Sequence, residues 1–197
     1  MATIRRNGSA RIAAAALSLA AAATLLLSTA CTALAPTVPT PASTPSPRQL
    51  QTPETLLGKP KNMSRGLTNR PISLIEKLKQ EVGTPTSAVA WAYGGETETA
   101  DAVLVTGASG TVDDPAATLK RILTLYGRVE TKAVDTGQFG GEARCGKGRG
   151  ERGGYMTICG WADSQTAGLV VFVSDLPQGD PTVNFLTARS ELERRTT

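Results

Sequence analysis

The first 47 residues of this 197-residue chain limit how much of it can form a folded core. Arg5, Arg6 and Arg11 precede an uncharged, alanine- and leucine-rich run over residues 12–30, which ends at Cys31. This order of a cationic segment, an apolar segment and small residues is typical of an export signal. We therefore predict a leader over residues 1–31 and a folded part that lies outside the cytoplasm, at the cell membrane.

Three outcomes are open for this leader. Residues 26–31 (LLSTAC) resemble a bacterial lipobox, which predicts cleavage before Cys31 and lipidation of its thiol with diacylglycerol. Alternatively, ordinary signal peptidase cuts after the A-x-A sequence at 33–35. In the third outcome nothing is cut, because nineteen uncharged residues at about 1.5 Å each just span a hydrocarbon core of about 30 Å. We favour the lipoprotein.

The segment after Cys31 is rich in proline. Seven prolines lie among Thr, Ser and Ala between residues 32 and 60. Proline at this density favours extended polyproline II conformations and opposes compact packing. We expect a disordered tether over residues 32–69 that spaces the following domain from the membrane.

The positive charge belongs to these N-terminal segments. Residues 1–69 carry seven Lys or Arg and one acid, whereas residues 70–197 carry fourteen Lys or Arg and sixteen acids. A nearly neutral domain lacks the cationic surplus that nucleic-acid binding requires. Nucleic acid is therefore not an expected partner.

Residues 70–197 are long enough for one core, and their pattern predicts a single α+β domain in which helices back an antiparallel sheet. Trp91 and Trp161 are expected in the core. Pro71 is placed in the first turn of a helix whose buried face includes Ile72, and Asp114 is placed at the cap of a second. The predicted helices are 71–82, 115–126 and 180–194, and the predicted strands are 87–93, 101–106, 128–134, 141–145, 155–162 and 168–174.

Two cysteines flank a glycine-rich segment. Cys145 and Cys159 enclose residues 146–154, which have the composition of a flexible hairpin tip. Outside a reducing cytoplasm, folding about this tip predicts a structural disulfide, with two free thiols as the alternative.

The same tip carries three cations. Lys147, Arg149 and Arg152 could dock on an anionic envelope polymer, on phospholipid headgroups or on an acidic envelope protein. The alternative is that they only keep the hairpin soluble. These three residues are the candidate partner-binding residues.

Catalytic motifs are weak in this chain. It contains no histidine, which removes the His-dependent hydrolases and most zinc enzymes. Ser73 is followed by Glu76 rather than by the lysine of an S-x-x-K site. Residues 103–110 (VLVTGASG) read as a strand and a Gly/Ser turn, because Asp113 and Asp114 would repel the phosphates of a nucleotide.

One carboxylate cluster keeps an enzymatic alternative open. Glu96, Glu98 and Asp101 lie close together in a Gly/Thr-rich turn, and paired carboxylates can hydrolyse glycans. A solvated acidic loop is the simpler interpretation. We therefore expect no catalytic residue, no cofactor and no metal site, with a carboxylate-dependent envelope hydrolase as the alternative.

Three segments around the two cysteines form a recognisable pattern: ARC at 143–145, TICGWAD at 157–163 and TAGLVV at 166–171. With this pattern, residues 87–175 resemble a group of actinobacterial exported proteins of uncharacterised function. It implies export and a disulfide, and it assigns no activity. Together with the leader, it predicts a membrane-anchored binding, sensor or accessory module of the cell envelope.

Overall fold

A six-stranded antiparallel sheet is the centre of the computed structural model, which describes residues 46–95, 101–150 and 153–195. Its strands lie in the order β4-β5-β9-β8-β7-β6. In chain order the elements are β1 (Arg48–Leu50), β2 (Thr55–Leu56), β3 (Lys59–Pro60), α1 (Arg65–Gln80), β4 (Gly83–Gly94), β5 (Ala102–Thr111), α2 (Pro115–Leu123), β6 (Thr131–Ala133), β7 (Glu142–Arg149), β8 (Tyr155–Ala162), β9 (Thr166–Ser174), α3 (Thr182–Leu192) and β10 (Glu193–Arg195).

Helices cover both faces of the sheet. On one face, α1 and α2 pack through residues such as Leu78 and Ile122 against Leu169. On the other face, Phe185 of α3 packs against Trp161. Because both faces are covered, the inner strands β5, β8 and β9 are buried over most of their length. The predicted α+β class, an antiparallel sheet with helices packed on it, is confirmed.

Helix α2 begins as its sequence predicts. Asp114 caps it, and its side chain accepts a hydrogen bond of 2.9 Å from the Ala117 N–H. Pro115 follows at the first helical position, where its missing N–H costs nothing. The predicted strand over 155–162 coincides with β8.

Helix α1 differs from its prediction. It begins at Arg65 rather than at Pro71, so Pro71 lies inside the helix, where it removes one backbone hydrogen bond. The face that packs on the sheet is formed by Pro71, Leu74 and Leu78. Ile72, expected on this face, is half exposed. The predicted start is wrong because the helix extends six residues before Pro71, and Leu67 of that segment packs against the same core.

The predicted tether extends too far along the chain. Residues 48–69, which the prediction includes in the tether, form β1, β2, β3 and the first turn of α1. The predictions for residues 1–45, lipidation of Cys31 included, lie outside the described residues. Leu50 and Leu56 are buried in the same core as Trp161. Strand β1 pairs with β10, so Arg48 lies opposite Arg195. The prolines of this segment thus stand between core residues rather than in an extended spacer.

The two ends of the sheet have different neighbours. The β7–β8 turn lies at one end, which we call the hairpin end, and the β8–β9 turn lies at the other. Arg48 is at this second end, which we call the Arg48 end, where its N–H donates to Gln165 at 2.7 Å. Strand β8 has eight residues, so the two ends are about 25 Å apart at about 3.3 Å per residue.

Among the described residues, no helix is both long and apolar enough to cross a membrane.

Candidate partner-binding site

The β7–β8 hairpin has the predicted disulfide. Cys145 and Cys159 lie directly opposite each other in the register of the two strands, and their sulfur atoms are bonded. The bond holds the strands that carry the hairpin tip. Both cysteines are buried, and Cys145 lines a groove on the α3 face. The prediction of a disulfide is confirmed.

Glycines in this hairpin are required by packing. A Cβ on Gly146 would collide with the Glu130 carbonyl oxygen and with Val129, which cross over the strand at this point. Near the tip, the Gly150 N–H donates to the Gly154 carbonyl at 2.9 Å, and the Gly153 N–H donates to the Gly150 carbonyl at 2.9 Å. The glycine-rich composition therefore allows a close crossing of the backbone as well as a turn.

Arg149 has a defined position at the hairpin end. Its guanidinium lies over the Tyr155 ring, 3.8 Å from the ring centroid, and its NH1 donates to the Gly153 carbonyl at 2.9 Å. The side chain is exposed, and it makes no ion pair with a described residue. The aromatic ring attracts the cation. The other N–H groups of the guanidinium have no acceptor among the described residues, so they can donate to a carboxylate or phosphate.

Lys147 lies two residues before Arg149 in β7, so the two side chains point to the same face of the sheet. Its ammonium donates to the Gln178 carbonyl at 2.6 Å, in the loop that precedes α3. This contact leaves two of its three N–H donors for other groups. Arg152, the third candidate cation, lies outside the described residues.

A groove lies between β6, β7 and the start of α3, next to the hairpin tip. We call it the lysine groove. Lys132 and Lys147 line it, together with Glu130, Asp180 and Thr182. Its volume is about 720 Å³. The two lysines are matched by two acids, so the groove itself is close to neutral and the cationic surplus is at Arg149.

Asp180 accepts a backbone hydrogen bond at the start of α3. Its carboxylate accepts a hydrogen bond of 2.9 Å from the Thr182 N–H. Hydrogen bonds from the Thr182 backbone and hydroxyl, with a smaller contribution from the Lys147 charge, hold the pKa of Asp180 below its usual value. Asp180 therefore stays ionised beside Lys147 at neutral pH.

The Trp-Ala-Asp motif has a structural role. The Trp161 ring lies over Gly168 on the neighbouring strand, where any Cβ would collide with it. Its indole N–H donates to the Thr166 hydroxyl at 3.0 Å, and that hydroxyl donates to Asp163 at 2.8 Å. Gly160 lies on the opposite face of the sheet, where the lack of a side chain allows α2 to approach closely.

Both tryptophans were predicted in the core. Trp161 is fully buried, whereas Trp91 is partly buried at the edge of its cluster.

Asp163 belongs to a buried group of charges that we call the clasp: Arg48, Asp163, Arg189 and Glu193. Arg189 contacts Asp163 at 2.5 Å and Glu193 at 2.6 Å, and its side chain is completely buried. Arg48 contacts the other oxygens of the same two carboxylates, at 2.8 Å and 3.2 Å. Each carboxylate thus pairs with two guanidinium groups, and the two positive and two negative charges of the clasp balance.

Sequence reasoning did not find the clasp. The Arg189–Glu193 spacing of four residues in the last helix was a readable signal of an ion pair. The Arg48–Glu193 contact joins residues 145 positions apart, which no local pattern indicates.

The carboxylate cluster of the enzymatic alternative is described only in part. Asp101 is exposed at the start of β5, whereas Glu96 and Glu98 lie outside the described residues. The VLVTGASG segment lies within β5, which continues to Thr111 before α2 begins. Among residues 46–95, 101–150 and 153–195, no group of three metal-ligating side chains comes together.

Comparisons with protein families, with curated proteins and with solved structures give no match to this chain.

Proposed function

We propose that this protein is an exported, membrane-anchored binding module of the cell envelope, which takes an anionic envelope component at the hairpin end. No reaction is assigned to it. The observation that carries the proposal is the exposed Arg149 guanidinium, which lies over the Tyr155 ring and has N–H donors that no described residue accepts. Lys147 adds a second cation on the same strand.

The position of this end favours presentation to a partner. The first described strand begins at Arg48, at the opposite end of the sheet. The hairpin end is therefore not next to the point where the described chain begins, which leaves it accessible to a partner. A phosphate- or carboxylate-bearing polymer fits this end, because a planar guanidinium binds such groups through two parallel hydrogen bonds.

The anchoring part of the proposal rests on sequence. Lipidation at Cys31 is favoured over an uncleaved transmembrane helix and over release by ordinary signal peptidase. The resemblance to actinobacterial exported proteins supports the same location. A disulfide in a chain of this kind is consistent with an oxidising compartment.

The anchor is tested by the intact mass of the protein extracted from its host's membranes without reductant. The proposal predicts a species that begins at Cys31 and carries the added mass of diacylglycerol. A full-length mass would instead favour a transmembrane helix over residues 12–30, and a species that begins at Pro36 would favour a released protein.

The binding part is tested by cross-linked capture of neighbours from intact envelopes. Lys147→Ala/Arg149→Ala/Arg152→Ala should reduce capture, because it removes the cations of the tip. Lys77→Ala/Arg194→Ala/Arg195→Ala is the matched control, since it removes three exposed cations elsewhere on the domain. Equal capture by the two variants would contradict the proposed site.

A further inference from the structure

A second groove lies on the other face of the sheet. Helix α2 covers β8 and β9 and leaves part of β7 and the short strand β6 open beside it. The resulting groove, which we call the α2 groove, has a volume of about 480 Å³. It is separated from the lysine groove by the thickness of the sheet, because neighbouring residues of β7, such as Arg144 and Cys145, point to opposite faces.

The floor of the α2 groove is apolar. Leu119, Leu123 and Val129 form it, with Leu119 buried and the other two partly buried. Leu119 and Leu123 rest on Gly160, where a Cβ would press against both side chains. The floor is therefore fixed by the packing of α2 on the sheet.

The rim of the same groove is cationic. Lys120, Arg128 and Arg144 line it, and Glu142 is the one acid among its described lining residues. Arg144 donates to the hydroxyl and the carbonyl of Thr131, at 2.9 Å and 2.7 Å, so its guanidinium is held in place. Lys120 and Arg128 make no ion pair with a described residue.

We propose that the α2 groove binds a single-chain amphiphile with an anionic headgroup, such as an alkyl phosphate. The alkyl chain would cover Leu123 and Val129, and the headgroup would contact the cations of the rim. Three cations against one acid favour an anion, and the apolar floor distinguishes this ligand from a simple ion. The volume lies within the range of about 300–1,000 Å³ that small-molecule sites have. This inference does not depend on the proposed function of the hairpin end.

The test uses the full chain in discs of zwitterionic lipid, with octyl phosphate as the probe. Amide hydrogen exchange is followed in peptides that cover residues 116–131 and 142–146. The proposal predicts slower exchange in both with octyl phosphate, and no change with inorganic phosphate or 1-octanol at the same concentration. Equal protection by either of these two compounds would overturn it, as would protection by discs of anionic lipid with none by octyl phosphate.

Variants show whether the rim is responsible. Lys120→Gln/Arg128→Gln should weaken octyl phosphate binding by about tenfold or more, because two of the three rim cations are lost. Lys77→Gln/Arg194→Gln, which removes two exposed cations outside the groove, should leave binding within about twofold. Far-ultraviolet circular dichroism confirms that each variant is folded. Equal binding by the two folded variants would contradict the proposal.

Discussion

The two ends of the sheet use arginine in opposite ways. At the Arg48 end, Arg189 is fully buried and pairs with two carboxylates, and Arg48 closes the same group from the other side. At the hairpin end, Arg149 is exposed and stacks on an aromatic ring with donors left over. A buried guanidinium must satisfy its hydrogen bonds within the protein, whereas an exposed one can exchange water for a ligand. We therefore expect substitutions in the clasp to change the free energy of unfolding, and substitutions at the hairpin end to change binding.

The largest stability effect is expected when the clasp loses one carboxylate charge. Asp163→Asn leaves two guanidinium groups facing the single carboxylate of Glu193, and we expect the free energy of unfolding to fall by about 3–5 kcal/mol. Urea denaturation measures it, with the exposed Glu76→Gln as a control that changes it by less than about 0.5 kcal/mol. Should Asp163→Asn fail to fold, Arg48→Gln is the milder variant, because this side chain is 17% exposed. If both variants lower the free energy of unfolding by less than about 1 kcal/mol, the clasp does not stabilise the Arg48 end.

The disulfide comes next in size. Its cysteines are 14 residues apart, so removing it with Cys145→Ala/Cys159→Ala should lower the free energy of unfolding by about 3 kcal/mol through the entropy of the unfolded chain. The same denaturation experiment, with and without reductant, measures it. Insensitivity of the wild-type protein to reductant would contradict the expectation.

The glycine under Trp161 should have a smaller effect. Gly168→Ala forces the buried indole to move and should cost about 1–3 kcal/mol. Gly66→Ala in α1 meets open surroundings and should be neutral or stabilising by up to about 1 kcal/mol. If the two variants lose the same stability, the Trp161 packing does not constrain this position.

The smallest effect concerns the titration of Asp180. Its pKa in the folded protein lies below that in the unfolded chain, so its contribution to stability is present above the unfolded pKa. This contribution is lost as the pH falls through the lower, folded pKa. A titration followed by nuclear magnetic resonance should therefore give a midpoint for Asp180 below that of an aspartate in the unfolded chain. Lys147→Gln should raise the midpoint only slightly, since the hydrogen bonds from Thr182 are the larger cause. A midpoint at or above the usual value would contradict these hydrogen bonds.

The sequence predicted the elements that depend on local signals. Asp114-Pro115 indicated the start of α2, and the glycine-rich segment between Cys145 and Cys159 indicated the hairpin and its disulfide. The sequence-based prediction failed where contacts between residues far apart in the chain determine the structure. Leu50 and Leu56 are buried in a cluster that includes Trp161 and Phe185, more than a hundred residues away, whereas the local proline density suggested a tether.

The candidate site was predicted in its residues but not in its shape. Lys147 and Arg149 could be chosen as cations on a hairpin, and this is where they lie. The stacking on Tyr155 and the groove beside α3 required the three-dimensional arrangement of β6, β7 and the α3 loop. The clasp and the α2 groove likewise depend on contacts between elements far apart in the chain.

The central claim, that the hairpin end and not the Arg48 end binds an anionic partner, is tested most directly with long-chain polyphosphate. Binding to the full chain in zwitterionic discs is measured over a series of salt concentrations. Lys147→Gln/Arg149→Gln should weaken binding by about tenfold and make its salt dependence shallower, because fewer counterions are released. Arg194→Gln/Arg195→Gln, two exposed cations at the Arg48 end, should stay within about twofold of wild type. Equal weakening by both variants would contradict the claim, because it would mean that polyphosphate responds only to the net charge.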